Sequence, residues 1–367
     1  MWYQIQQFNT HKMRKILIAY QKGSFKLKNH IVMAPMTRSR AINNIPNDLM
    51  ATYYGQRSGA GLIITEGTAP VAEGLGYPRI PGIYDQMQID GWKKTTETVH
   101  KDGSKIFLQL MHTGRIGHVD NLPENIQIVG ASNIKAAGQI FTDTAGLQDH
   151  SQPIALTEES IKKTIAGFVN AAKNAIQAGF DGIELHAANG YLLEQFLNPH
   201  VNNRTDGYGG NIINRAKLTL EIASQTAAAI GKDKVGIRFS PYATLGDLQA
   251  YSPEDVHETY SYLATALNKI GIAYIHISSN PAIPQKILDS IRSGFSNTII
   301  LSNGLNPQTA EEALNKGFAD LVAFGRSFLA NPDFITRIEK GAAFNQLDAT
   351  TFYTPGEKGY TDYPSMD

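Results

Sequence analysis

The sequence predicts a single (β/α)8 barrel, an α/β fold of the TIM-barrel type with an extra excursion after the third strand. Three observations carry this. Eight short apolar runs end in small or polar residues, and each is followed by a helical pattern. The runs are continuous rather than alternating, as expected of parallel strands covered on both faces. No internal repeat or low-complexity linker divides the chain in two.

In order the runs occupy residues 30–33, 61–65, 105–110, 182–185, 235–239, 273–277, 298–301 and 321–324. The helices between them have legible ends. The clearest takes Thr157 as its N-cap, carries Glu158 and Glu159 in its first turn and closes at Gly179. Its stripe of Ile161, Ile165, Phe168, Val169, Ala172 and Ile176 covers one face. A second spans residues 307–316, with Asn306 as cap and Gly317 beyond its end. Residues 111–153 lack a strong periodic pattern and are long for a barrel loop, so a small excursion over the barrel mouth, such as a hairpin, is expected there. Residues 1–12 read as a polar extension or misassigned start, and 13–367 as the barrel.

Composition narrows the function. Of 367 residues 42% are hydrophobic and 18% charged, the balance of a globular chain with a large core. Lys plus Arg and Asp plus Glu are equal at 33, so no net field draws the chain to nucleic acid or a membrane surface; a small neutral or weakly charged partner is expected. The absence of cysteine removes disulfides, thiolate nucleophiles, iron–sulfur clusters and Cys-based zinc sites. With no apolar run of about 18 residues, the cytoplasm is the expected compartment. Monomer and homo-oligomer are both compatible with the sequence.

In such a barrel the chemistry sits at the C-terminal ends of the strands. Those positions hold Thr37 after the first strand, Glu66-Gly67-Thr68 after the second and Gln109 at the third. His186 and Asn189 follow the fourth, Arg238 lies in the fifth, Ser302-Asn303-Gly304 follow the seventh, and Gly325-Arg326 the eighth. The set is rich in hydrogen-bond donors and poor in nucleophiles. A Schiff-base enzyme needs a lysine at a strand end, but Lys105 and Lys234 lie at the opening ends. His186, His276 and Glu66 share no metal-ligand spacing, so no metal is expected. Gly304 and Gly325 either turn the chain or let backbone N–H groups approach a phosphate; Arg326 favours the phosphate. No Gly-x-Gly-x-x-Gly follows a strand, so a mononucleotide held by the barrel fits better than a dinucleotide on its own domain.

From about Lys15 onward the chain resembles the Old Yellow Enzyme family of flavin mononucleotide (FMN) oxidoreductases. The resemblance rests on Met33-Ala34-Pro35-Met36-Thr37-Arg38, on Gln109-Leu110-Met111-His112-Thr113-Gly114-Arg115, and on the block from Gly179 through His186-Ala187-Ala188-Asn189-Gly190-Tyr191 to Leu193. It continues through Phe196-Leu197-Asn198-Pro199, Asn203-Arg204-Thr205-Asp206-Gly207-Tyr208-Gly209-Gly210 and Phe324-Gly325-Arg326.

The resemblance implies that Thr37 and Gln109 hydrogen-bond the flavin ring edge, with backbone from Pro35, Met36 and Gly67 lining it. Arg238 is implied at the pyrimidine end, where a fixed guanidinium stabilises charge that accumulates on reduction. The phosphate reading of Asn303, Gly304, Gly325 and Arg326 completes the cofactor set. His186 and Asn189 are implied as donors to a substrate carbonyl or nitro oxygen, and Tyr191 as the acid that protonates the α-carbon; with a reference pKa of about 10 it is protonated at neutral pH. Tyr353 matches a pocket-lining tyrosine. The implied reaction passes hydride from NADPH or NADH through FMN to an activated alkene, with nitro compounds as a second substrate class. One departure stands out. Many relatives carry Trp two residues after the glutamine, where this chain has Met111, a flexible thioether that reshapes the pocket wall. Two rivals remain at this level, a flavin-free barrel lyase and a flavin-binding protein without catalysis. The missing lysine and ligand set oppose the first, and the retention of His186, Asn189 and Tyr191 together opposes the second.

Overall fold

Side chains along a barrel strand point alternately to the interior and to the surrounding helices, so each strand must satisfy two environments at once. The structure, a computed structural model, describes residues 14–366 apart from Ser24 and Asn303. The leader at 1–12 and the expected contact from Asn303 therefore lie outside the described residues.

Eight parallel strands close in sequential order: β1 (Ile31–Met33), β2 (Leu62–Ile64), β3 (Lys105–Leu110), β4 (Gly182–Ala187), β5 (Val235–Phe239), β6 (Tyr274–Ser278), β7 (Thr298–Ser302) and β8 (Leu321–Phe324). The helices that follow them in turn are α1 (Asp48–Gln56), α2 (Gln86–His100), α3 (Glu158–Gln177), α4 (Ile212–Ile230), α5 (Pro253–Ile270), α6 (Gln285–Gly294), α7 (Pro307–Asn315) and α8 (Phe334–Lys340). Local chemistry sets their ends. Thr157 Oγ1 accepts the Ser160 N–H at 3.1 Å to start α3, and Gly179, at φ +89°, turns the chain out of it. Asn306 and Thr309 form a reciprocal capping box on α7.

The expected strands fall within a residue or two of the observed ones, with one consequential difference. β4 runs on to Ala187, so His186 lies inside the strand rather than after it. Its side chain is thereby fixed by strand geometry instead of a loop.

Outward-facing Ile183, Leu185 and Ala187 of β4 and Val235, Ile237 and Phe239 of β5 join the helices in the main core. Inward-facing residues divide the barrel interior. At the N-terminal end Val32, Leu62, Ile64, Phe107, Tyr274, Ile300 and Leu321 form an apolar cluster. An antiparallel pair, Tyr20–Lys22 with Phe25–Leu27, packs against that floor. There the Phe25 ring stacks on Tyr274 with centroids 6.2 Å apart and meets Phe107 edge-on. Residues 111–153 do contain a hairpin, Gln139–Thr142 against Gly146–Asp149, and Val129–Gly130 pairs in parallel with Ile154–Ala155. Buried Arg115 ties this excursion to the loop after β5 by donating to the carbonyls of Lys135 at 3.3 Å and Asp247 at 2.7 Å.

The Tyr274 ring occupies the space a Cβ on Gly236 would need, so large and small residues alternate between neighbouring strands. Gly236→Ala is expected to destabilise the barrel by about 1–3 kcal/mol through overpacking. A lowered denaturant midpoint checks this, and an unchanged midpoint contradicts the floor packing described.

Candidate active site

Above the apolar floor the interior turns polar, with Gln109 from β3, Glu184 and His186 from β4, Arg238 from β5 and His276 from β6 all buried. Over them opens a cavity of about 780 Å3. Its wall includes Pro35, Thr37, Gln109, Met111, His186, Asn189, Tyr191, Arg238 and Tyr353, so nine of the residues singled out from sequence meet in one space.

The turn after β4 is held from behind. Asn189 adopts φ +58°, a left-handed conformation that asparagine tolerates, and Gly190 follows at φ +84°. The Asn189 N–H donates to Ser240 Oγ at 2.8 Å, the Ser240 hydroxyl donates to Glu194 Oε1 at 2.7 Å, and the Gly190 N–H donates to Glu194 Oε2 at 2.7 Å. One buried carboxyl group thus fixes the strained turn that presents Asn189. The ring of Tyr191 stands edge-on to that of His186, with centroids 4.9 Å apart, and its hydroxyl donates to Tyr77 Oη at 3.2 Å.

Electrostatics set the protonation states. Burial, with Arg238 and His276 nearby, holds His186 well below its ordinary value, so the imidazole is neutral. Its Nδ1 is buried without a hydrogen-bond partner. Burial and the neighbouring Tyr77 push Tyr191 well above the usual phenol value, so it keeps its proton. Arg238 is 6% exposed, forms no ion pair within 4 Å among the described residues, and its Nε lacks a partner. The buried carboxylate of Glu184 instead accepts from Gln109 and His276.

Other expected contacts lie outside the cavity wall. Met36 packs beside Gly325, where an added Cβ would approach its Sδ to 3.3 Å. The space above Gly67 is filled by the Met111 side chain. Gly304, at φ +68°, follows β7, and Gly325 and Arg326 follow β8, on the same end of the barrel as the cavity. Arg326 is exposed and makes no hydrogen bond or ion pair among the described residues, as a free anion-binding group would. Among the described residues no group of three metal-ligating side chains occurs. Glu66 is turned away, accepting from the Arg38 N–H and the Tyr54 hydroxyl, each at 3.3 Å.

Sequence reasoning missed Tyr77 and Arg79, which reach the cavity from the loop after β2, and the hairpin residues Ile140 and Phe141. Arg79 donates to the Tyr353 carbonyl at 2.9 Å and pairs with Asp143, joining the C-terminal segment to the hairpin across the mouth. The loop position of Gly76-Tyr77-Pro78-Arg79 at a strand C-terminal end was the available signal.

The residues present fit a flavin mononucleotide. The buried Arg238 Nε lacks an acceptor, the unpartnered His186 Nδ1 and the polar groups of Thr37 and Gln109 offer further contacts, and Arg326, next to Gly325 and without a partner among the described residues, suits a phosphate. Fold and site together define a barrel oxidoreductase built around a bound flavin. The family model described as the NADH:flavin oxidoreductase / NADH oxidase family matches residues 20–345. The chain is 39% identical over 362 residues to 12-oxophytodienoate reductase 1 of Oryza sativa subsp. japonica, covering 96% of this chain and 93% of that protein. Among solved structures, morphinone reductase superposes with a TM-score of 0.92 at 39% identity, covering 96% of both chains. The same enzyme in complex with tetrahydroNAD superposes with a TM-score of 0.92 at 40% identity, covering 96% of this chain and 98% of that one. The chain belongs to the NADH:flavin oxidoreductase / NADH oxidase family and is of the Old Yellow Enzyme type. It is an FMN-dependent oxidoreductase that takes hydride from NAD(P)H and reduces the activated C=C bond of α,β-unsaturated carbonyl compounds. No helix among the described residues is long and apolar enough to cross a membrane.

Glu194 carries a prediction about pH. Burial raises its carboxyl from 4.5 to about 7, so the folded state favours the protonated form more than the unfolded state does. That share of stability is present in full below pH 4.5 and is lost as pH rises through about 7. Melting temperature should therefore fall less between pH 5 and pH 8 in Glu194→Gln than in the parent; identical pH profiles would count against this assignment.

Proposed function

We propose that His186 and Asn189 hold the substrate's carbonyl oxygen and that Tyr191 supplies the proton to its α-carbon, beside an FMN contacted by Pro35, Met36, Thr37, Gly67, Gln109 and Arg238 and anchored through its phosphate at Gly304, Gly325 and Arg326. What carries this reading is the convergence of a neutral His186, a pinned Asn189 and a protonated Tyr191 on one cavity with a buried guanidinium in its wall.

When bound, FMN would supply the hydride carrier between NAD(P)H and the β-carbon of the alkene in a ping-pong cycle. The protein's part is electrostatic and positional. Donors fixed before the substrate arrives strengthen as charge grows on the carbonyl oxygen, and they need no reorganisation at that moment. A neutral His186 donates without carrying a competing positive charge. The Asn189 backbone N–H is held by Ser240 and, through it, by Glu194, which fixes the turn from which its side chain extends. Tyr191 keeps its proton until a carbanion-like centre forms, and its hydrogen bond to Tyr77 limits the directions in which the hydroxyl can face. A nitro group offers oxygens to the same two donors, which supports nitro compounds as a second substrate class. We place the reaction in the cytoplasm.

Purified protein should be yellow, bleach on addition of NADPH or NADH, and regain colour with cyclohexenone. A preparation that stays colourless with added FMN rejects the reading, and a yellow protein that cannot be reduced rejects catalysis. Tyr191→Phe should slow reoxidation by an enone by about 10²–10⁴-fold while leaving reduction by the nicotinamide near the parent rate; stopped-flow absorbance separates the two half-reactions. Met111→Trp should change substrate preference or product stereochemistry far more than flavin reduction, because Met111 is part of the cavity wall. Equal losses in both half-reactions would assign Met111 to the flavin instead.

A further inference from the structure

Beneath the cavity sits a carboxylate for which the reaction so far has no use. Glu184 is 0% exposed and lies on β4 two residues before His186. Its Oε1 accepts from Gln109 Nε2 at 2.8 Å and its Oε2 from His276 Nδ1 at 2.8 Å. His276 is also fully buried, and its Nε2 has no partner. Strand register sets Glu184 beside Gln109, and Arg238 beside both His186 and His276. Burial holds His276 below its ordinary value, so the ring is neutral and its single proton sits on the nitrogen that faces Glu184.

Two consequences follow from elementary chemistry. An ionised carboxylate only accepts, so it turns the NH2 edge of Gln109 toward itself and leaves that amide's carbonyl and second N–H for the cavity. A paired acceptor and donor of this kind complements an imide edge, the pattern on a flavin's pyrimidine ring. Secondly, a fixed negative charge deep in the barrel offsets part of the field of Arg238, and in a buried setting this offset is weakly screened.

We propose that Glu184, held by His276, is a positioning residue that fixes the orientation of the Gln109 amide and lowers the reduction potential of the bound FMN by opposing Arg238. The proposal rests on the reading of Gln109 and Arg238 as flavin contacts. Its direction is set by charge. Reduction adds negative charge near Arg238, a neighbouring anion disfavours that addition, and removing the anion favours the reduced cofactor.

The experiment measures FMN dissociation constants and the two-electron midpoint potential of the FMN-loaded protein, by dye-coupled titration, in four variants. Glu184→Gln should raise the preference for reduced over oxidised FMN about tenfold, which is about 30 mV upward for a two-electron couple. Glu184→Asp keeps the charge but is too short to span both partners, so the potential should stay near the parent value while oxidised FMN binds several-fold more weakly. Gln109→Leu and Arg238→Leu test the underlying reading, and each should weaken FMN binding. If those two variants leave both affinity and potential unchanged, the contact reading fails. If they shift while Glu184→Gln leaves the potential where it was, the role of Glu184 is overturned. A tenfold change in Glu184→Asp would likewise overturn it, and this arm stands even where the glutamine variant does not fold.

Discussion

A guanidinium buried with no ion pair among the described residues makes strong demands on its surroundings. Desolvating a charge is costly unless something nearby compensates it, and Arg238 lies inside the barrel with its Nε unmatched. Much of the surrounding architecture makes that placement possible. The closed strand ring supplies neutral polar neighbours, the aromatic floor of Phe25, Phe107 and Tyr274 seals the N-terminal end, and Glu184 sits close enough to oppose its charge without touching it. Under the function proposed above, this largely desolvated positive charge in the cavity wall is what a flavin at the site would draw on.

Around that charge, the site is assembled from segments of very different stiffness. His186 and Gln109 stand on strands and inherit their positions from the sheet. Asn189 and Tyr191 stand on a turn, which Ser240 and Glu194 hold in a left-handed conformation that would otherwise be strained. The outer wall comes from the hairpin over the mouth and from the segment bearing Tyr353, which is 62% exposed. The groups proposed to act on the substrate thus sit on a strand or on a turn braced by buried hydrogen bonds, whereas residues that shape what enters sit on longer connections. Met111 lies between the two, one residue past β3 and packed over Gly67.

Much of this was legible in the sequence because parallel barrel strands are buried on both faces and read as continuous apolar runs. Helix caps such as Thr157 and Asn306 were equally plain, since each is a local choice of side chain. The fourth strand was read too short. His186 looks like the start of a loop because a polar residue ends the apolar run, but it faces the interior of a strand that continues to Ala187. The same blindness hides Glu184 and His276, polar residues within apolar runs whose meaning depends on which strands lie side by side. Tyr77, Arg79 and the hairpin contacts were out of reach for a different reason. They come to the cavity through loops whose paths are set by tertiary packing, and no periodicity records where a loop ends in space.

The segment carrying Tyr353 is anchored in an unusual way. Arg38, Arg40 and Arg57 reach it through backbone carbonyls rather than acids, donating to Gly359, Thr351 and Tyr360 at 2.7, 2.9 and 3.2 Å. These pairs are separated along the chain by 321, 311 and 303 residues. During synthesis the three guanidiniums leave the ribosome long before their acceptors exist, and they must stay hydrated until then. The rim bearing Tyr353 can thus dock on Arg38, Arg40 and Arg57 only after the last part of the chain has been made.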